Sequence, residues 1–338
     1  MDLKQRIAAF VALGKKIANL DEEELEEVCL SAASHNGWFT EKSVKTALEG
    51  LCTYLNEAEL SSWLTEYDLP EETAPKRVGV VMAGNIPMVG LHDFICVLLS
   101  GHKLCAKLSS QDPYLLKFVA EKLIEIEPAF AEQIAFVDNL KEIDAIIATG
   151  SDNTARHFEF YFAKYPRIIR KNRTSIAVLN GEENKESLKN LASDVLLYFG
   201  LGCRNVSKLY VPKGYDFPIV MEALEKMAVE ATFNHKYTNN YDYNKSIYLI
   251  NSVPHLDNAG LLLTENESLV SPISVLYYET YDSVQELQEK LATLEEKTQC
   301  IVSEGAWLEG STVFGQAQFP HITDYADGVD TMAFLKEL

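Results

Sequence analysis

From Arg77 onward the chain alternates short apolar, β-branched runs with longer stretches of helical periodicity, and this alternation limits the fold more than any other feature. The runs at 78–82, 103–107, 134–137 and 145–148 hold few polar positions, so strands built from them must be covered on both faces. Between them the pattern predicts helices over 88–100, 114–126 and 153–164. Pro87 opens the first, with Gly101 just past its end, and Asp112-Pro113 opens the second. The result is an α/β architecture with a parallel sheet, of the kind that binds dinucleotides. The usual fingerprint is missing, because Gly79 and Gly84 do not have G-x-G-x-x-G spacing. Either the sheet serves another purpose or it holds its nucleotide in a less common way.

The second half repeats this texture. A helix over 186–199 leads into Gly200-Leu201-Gly202-Cys203-Arg204-Asn205. After it come a strand over 207–211, a helix over 217–231, strands over 246–250 and 273–277, a helix over 283–297 and a strand over 300–303. Residues 1–70 carry helical periodicity, with Asp21 as an N-cap, and 69–75 reads as a linker. With 338 residues the chain has room for two domains. A formal charge of −20 argues against nucleic acid or an anionic membrane surface as partner, since both would repel it. No apolar run reaches the length of about 20 residues that membrane insertion needs, and a cytoplasmic location is expected. The six cysteines show neither CxxC pairing nor ligand spacing with histidine, which speaks against a metal site or a disulfide framework.

Four segments could carry chemistry. Cys203 lies between a helix end and a strand and is preceded by a Gly-Leu-Gly run that admits close approach; it is a nucleophile, with Arg204 at hand for its thiolate, or a small buried hydrophobe. Asn85, in Gly84-Asn85-Ile86-Pro87 at a strand tip, either donates to an oxyanion or caps the next helix. Lys107 at a second strand end could hold ribose or phosphate oxygens, or simply be solvated. Thr149-Gly150-Ser151 ends a third strand and opens a helix, where amides and the Ser151 hydroxyl could cradle a phosphate. Downstream, Arg156, Lys164, Arg167, Arg170, Lys171 and Arg173 make a basic stretch that either offsets a cofactor phosphate or forms a solvated face.

In this order and at these intervals, the four segments resemble the aldehyde dehydrogenase superfamily, and more closely its LuxC-like fatty acyl-CoA reductase branch. The resemblance runs from about Arg77 to the C-terminus. It implies two Rossmann-type parallel-sheet domains with a helical N-terminal segment. The expected boundaries are 1–70 for that segment, 76–200 for the cofactor-binding domain and 201–310 for the catalytic cysteine domain. Residues 311–338 would serve oligomerisation or pack back on the cofactor domain.

By the same resemblance Cys203 is the nucleophile and Asn85 the oxyanion donor. Lys107-Leu108-Ser109-Ser110-Gln111-Asp112-Pro113 is similar to the stretch that holds the adenosine ribose, and Thr149, Gly150 and Ser151 match the cofactor-phosphate turn. The run Asp324-Tyr325-Ala326-Asp327-Gly328-Val329-Asp330 looks characteristic of the branch without suggesting a chemical role.

Three departures refine the expectation. Where hydrolytic relatives carry a glutamate base, the segment from Ile168 to Ser175 has no carboxylate, which favours thioester reduction over aldehyde oxidation. Ser110 replaces the glutamate of NAD-preferring relatives, so NADPH is the expected cofactor. The glutamate that would hold the nicotinamide ribose falls on Ser268 by counting back from Pro272, with Glu267 one residue away; Glu267 is the assigned candidate.

The expected reaction is NADPH-dependent reduction of an acyl-CoA or acyl-protein thioester to the fatty aldehyde. The expected assembly is a homo-oligomer, a dimer, with an acyl-activating or acyl-transferring protein as a further partner. The alternatives are an acyl phosphate reductase of the same superfamily and a non-catalytic acyl-carrying scaffold subunit.

Overall fold

A computed structural model describes residues 1–70 and 74–338, so the middle of the expected linker lies outside the described residues. The chain divides into two compact units, 1–172 with 321–338, and 173–320. In the first unit four helices, α1 (Leu3–Ala18), α2 (Glu22–His35), α3 (Glu41–Tyr54) and α4 (Glu57–Thr65), precede β1 (Arg77–Val81). Then follow α5 (Leu91–Leu99), β2 (Lys103–Lys107), α6 (Leu115–Ile126), β3 (Ile134–Phe136), β4 (Ala145–Thr149), α7 (Asp152–Tyr161) and β5 (Arg167–Arg170).

The helix starts are capped as the sequence suggests. Asp2 and Gln5 form a reciprocal capping box, and Asp21 accepts from the Glu24 amide at 2.8 Å. Phe10, Leu13, Val44, Leu51, Leu60 and Trp63 join the same core as Val78, Val80 and Phe94, so the N-terminal helices cover the sheet instead of standing apart. The five strands are parallel in the order β3-β2-β1-β4-β5. The order reverses between β1 and β4, and their carboxyl ends are where open α/β sheets take ligands.

The second unit holds β6 (Thr174–Val178), α8 (Lys185–Leu196), β7 (Val206–Pro212), α9 (Phe217–Ala231), α10 (His235–Ile250) and β8 (Leu256–Asp257). It continues with β9 (Leu262–Glu265), β10 (Val275–Tyr281), α11 (Val284–Leu294), β11 (Thr298–Ser303) and β12 (Thr312–Val313). Its seven strands run β12-β11-β6-β7-β10-β9-β8, parallel except for β8 against β9. The chain then returns to the first unit and ends in α12 (Thr331–Lys336).

Several expectations are corrected here. The strand expected at 246–250 is the end of α10. Its β-branched run misleads because the buried face of that helix is made of Tyr237, Tyr241 and Asn244, at helical spacing but not aliphatic. The boundary falls after Asn172, not after 200, because β6 pairs with β7 and β11 in the second sheet. Residues 321–338 belong to the first unit. The segment 167–178, read as part of a basic stretch and as the place of the absent glutamate, contains two strands, and its arginines are engaged within the fold. Arg170 is buried and forks onto both oxygens of Asp93 at 2.6 and 2.9 Å, while Arg167 meets Glu159. Arg173 donates to the carbonyls of Glu295 and Thr298.

The C-terminal run has a structural role. Tyr325 Oη accepts from Trp63 Nε1 at 2.8 Å and lies 2.6 Å from Tyr67 Oη. Tyr67 in turn donates to Asp330, the N-cap of α12, and Thr331 meets Arg170 at 2.9 Å.

Candidate active site

In the first unit the register sets Val81 opposite both Lys107 and Ala148, so the carboxyl ends of β1, β2 and β4 form one row. The turn holding Asn85 follows β1, the Lys107–Ser110 segment follows β2, and Thr149-Gly150-Ser151 follows β4. The structure therefore brings Asn85, Lys107, Ser110, Thr149, Gly150 and Ser151 to one edge of one sheet. Asn85, Lys107, Ser110 and Ser151 are exposed.

Asn85 does not cap α5. The helix begins at Leu91 behind Gly90, later than the expected residue 88, and residues 85–90 are spent on turns with Met88 at φ 56°. Two buried side chains hold that turn. Asn36, from the end of α2, donates to the Gly84 carbonyl at 3.3 Å. Asp112 accepts from the Met88 amide at 2.8 Å and from the Leu115 amide at 3.2 Å. Burial raises the Asp112 pKa, and these amides oppose the rise. Gly84 is required because a Cβ there would sit 2.8 Å from Ser109, where the two loops touch. Ser151 is the N-cap of α7: its Oγ accepts from the Thr154 amide at 3.3 Å and lies 2.9 Å from the Thr154 hydroxyl.

These residues fit a dinucleotide on chemical grounds. An exposed ammonium, three hydroxyls and a capped helix start converge at the switch point of a parallel sheet, in a chain otherwise strongly acidic. Lys107 and Ser110 would hold the adenosine ribose and its substituents, and Thr149 to Ser151 the phosphates.

In the second unit Cys203 occupies the tip of a tight turn. The Asn205 amide donates to the Gly202 carbonyl at 3.0 Å, and Asn205 Oδ1 accepts from the Gly202 amide at 2.8 Å, so the turn is closed twice. Ser175 Oγ donates to the Cys203 carbonyl at 3.0 Å and lies 3.0 Å from Cys300 Sγ. Just past the turn, the pairing of β6 with β7 slips by one residue at Ser207, a bulge of the kind that re-aims side chains beside active sites.

Of the six cysteines, all among the described residues, only Cys203 is exposed, and none is in a disulfide. Burial pushes the thiols of Cys29, Cys52, Cys96 and Cys300 up, which keeps them protonated and inert. Glu267 is exposed in the loop after β9, and its carbonyl accepts from the buried Lys208 at 2.9 Å. Ser207 Oγ fixes the same loop through the Leu269 carbonyl at 2.8 Å. Among the described residues no cluster of three or more metal-ligating side chains occurs, and no helix is long and apolar enough to cross a membrane.

Sequence reasoning missed Asn36, Ser175, Lys208 and the side-chain role of Asn205. All four are buried or half-buried polar residues next to loops, and only their three-dimensional partners identify them.

Comparison with known proteins identifies the family and the fold. A family model described as acyl-CoA reductase (LuxC) matches residues 15–235. The long-chain acyl-protein thioester reductase of Aliivibrio fischeri is 22% identical over 234 residues, which cover 64% of this chain and 46% of that protein. The chain thus spans about half the length of the curated relative it matches.

Among solved structures, an indole-3-acetaldehyde dehydrogenase of P. syringae in complex with NAD+ superposes with a TM-score of 0.68. It is 15% identical, over 94% of this chain and 75% of that one. An aldehyde dehydrogenase from Bacillus cereus, also an NAD+ complex, gives 0.63 at 16% identity, over 90% and 72%. The fold is that of the aldehyde dehydrogenases.

Proposed function

Because the chain belongs to the acyl-CoA reductase (LuxC) family, we propose that it reduces a fatty acyl thioester to the aldehyde through an acyl-enzyme on Cys203. One observation carries the reading most directly: the only exposed thiol among the described residues stands at the tip of a doubly closed turn, just ahead of a β-bulge. The Cys203 thiolate attacks the thioester carbonyl, a new sulfur–carbon bond forms, the carrier's own sulfur–carbon bond breaks, and the carrier leaves as a thiolate that takes its proton from water. Asn85 and the Cys203 amide are assigned the oxyanion that develops. A nicotinamide cofactor, when bound, supplies the hydride. Once the acyl carbon has gained the hydride, its bond to the Cys203 sulfur breaks, the aldehyde leaves and Cys203 is again a thiolate.

The segment 168–175 offers no carboxylate to activate water, and Arg170 within it is turned into the core against Asp93. Water attack on the acyl-enzyme is therefore unassisted there, in keeping with release of aldehyde and not acid. Ser110 beside Lys107 accommodates a 2′-phosphate that a glutamate would repel, so NADPH is the proposed donor. The proposed carriers are coenzyme A or a protein, and the proposed assembly is a dimer.

The test follows NADPH oxidation with acyl-CoA thioesters of short to long chain, with Cys203→Ala as control. Turnover should vanish in the control and fall by about 10²–10³ in Asn85→Ala. Turnover surviving in Cys203→Ala would sink the mechanism. A clear preference for NADH would sink the assignment of Ser110.

A further inference from the structure

Immediately before the nucleophile turn the backbone adopts a conformation that side-chain-bearing residues avoid. Tyr198 (φ 54°, ψ 25°) and Phe199 (φ 60°, ψ 23°) are both left-handed, and Gly200 follows at φ 76°. Two successive left-handed residues that carry side chains do not persist without something that holds them. One side chain brackets this run on both sides. Asn205 is 2% exposed. Its Nδ2 donates to the carbonyls of Leu197 at 2.7 Å, Asp194 at 3.1 Å and Val195 at 3.3 Å, at the end of α8. Its Oδ1 accepts from the Gly202 amide, and its own amide closes onto the Gly202 carbonyl. On the other side its carbonyl accepts from the Ser175 amide at 3.2 Å. Every polar atom of Asn205 is in use, and the set spans the helix end, the left-handed run, the nucleophile turn and β6.

We propose that Asn205 is the positioning residue of the nucleophile: it clamps the left-handed run at 198–200 and thereby fixes where Cys203 stands. An aspartate of the same shape could keep the Gly202 bond but would face three carbonyls with a carboxylate, so the donors of the amide are what the site requires. The inference rests on the reading of Cys203 as nucleophile and adds the residue that sets its geometry.

The experiment compares wild type, Asn205→Ala, Asn205→Asp, Asn205→Ala/Phe199→Gly and Cys203→Ser at a temperature where circular dichroism shows each native. It measures steady-state reduction of an acyl-CoA and the rate at which iodoacetamide alkylates the Cys203 peptide across pH. Both Asn205 single variants should lose about 10- to 100-fold in kcat with KM little changed, and the alkylation profile of Cys203 should shift. Glycine at 199 removes the conformational penalty at that position, so the double variant should recover about fivefold or more over Asn205→Ala.

Wild-type kcat and an unshifted alkylation profile in native Asn205→Ala, or in Asn205→Asp should the alanine variant not fold, would overturn the proposal while an inactive Cys203→Ser left the nucleophile in place. Turnover in Cys203→Ser would remove the nucleophile reading itself.

Discussion

Asp194 gives a quantitative test of how the second unit is held together. Its carboxylate, on α8, is wholly buried and accepts from the amides of Gly315 at 2.6 Å and Ala317 at 3.0 Å. Burial outweighs these two bonds and raises its pKa from the ordinary 3.8 to about 6. The native group therefore keeps its proton more tightly than the unfolded one. Its contribution to stability is greatest below about pH 4 and is lost as pH rises through about 6. The full loss is about 3 kcal/mol, of which about 1.4 kcal/mol falls between about pH 5 and about pH 7.5.

Asp194→Asn carries no charge at any pH, so its own contribution does not change with pH. The unfolding free energy of the variant minus that of wild type, from urea denaturation, should thus increase by about 1.4 kcal/mol from about pH 5 to about pH 7.5. A constant difference would refute the reasoning, because it would mean that the two amides fully offset burial. A difference that shrinks would reverse its sign.

Arg170→Met leaves Asp93 buried without its partner and should cost about 3–5 kcal/mol in urea denaturation, and replacing Asp93 by Leu in the same chain should recover most of it. Gly260→Ala should abolish stable folding, read as loss of cooperative thermal unfolding, because the added Cβ would overlap the Ala228 carbonyl and crowd the Val229 amide.

Strands β1, β2 and β4 of the first sheet were legible because burial on both faces leaves an unmistakable mark: 103–107 reads as β2 to the residue. The row formed by Asn85, Lys107 and Thr149 followed from strand ends alone, since the carboxyl edge of a parallel sheet collects the turns after each strand. Helix α10 was misread because its packing face is aromatic and amide, a pattern that hydrophobic periodicity does not register. Asn205 was visible in the sequence only as a residue near a cysteine. Its importance lies in three carbonyls 8 to 11 positions earlier and a strand 30 positions earlier, and contacts of that separation leave no local signature. Strand β5 was hidden by its two arginines, which sequence patterning counts as surface until Asp93 is placed beside Arg170.

The return of the last 18 residues to the first unit has a consequence for the order in which the molecule can be made. On a ribosome the first unit emerges early, yet the chain must complete all of 173–320 before Tyr325 can reach Trp63 and Thr331 can reach Arg170. During that interval Arg170 and Asp93 wait at a surface that α12 has not yet covered. The second unit, contiguous in sequence, can close as soon as Pro320 has left the exit tunnel. The first unit is therefore completed only after the whole of the second has been synthesised.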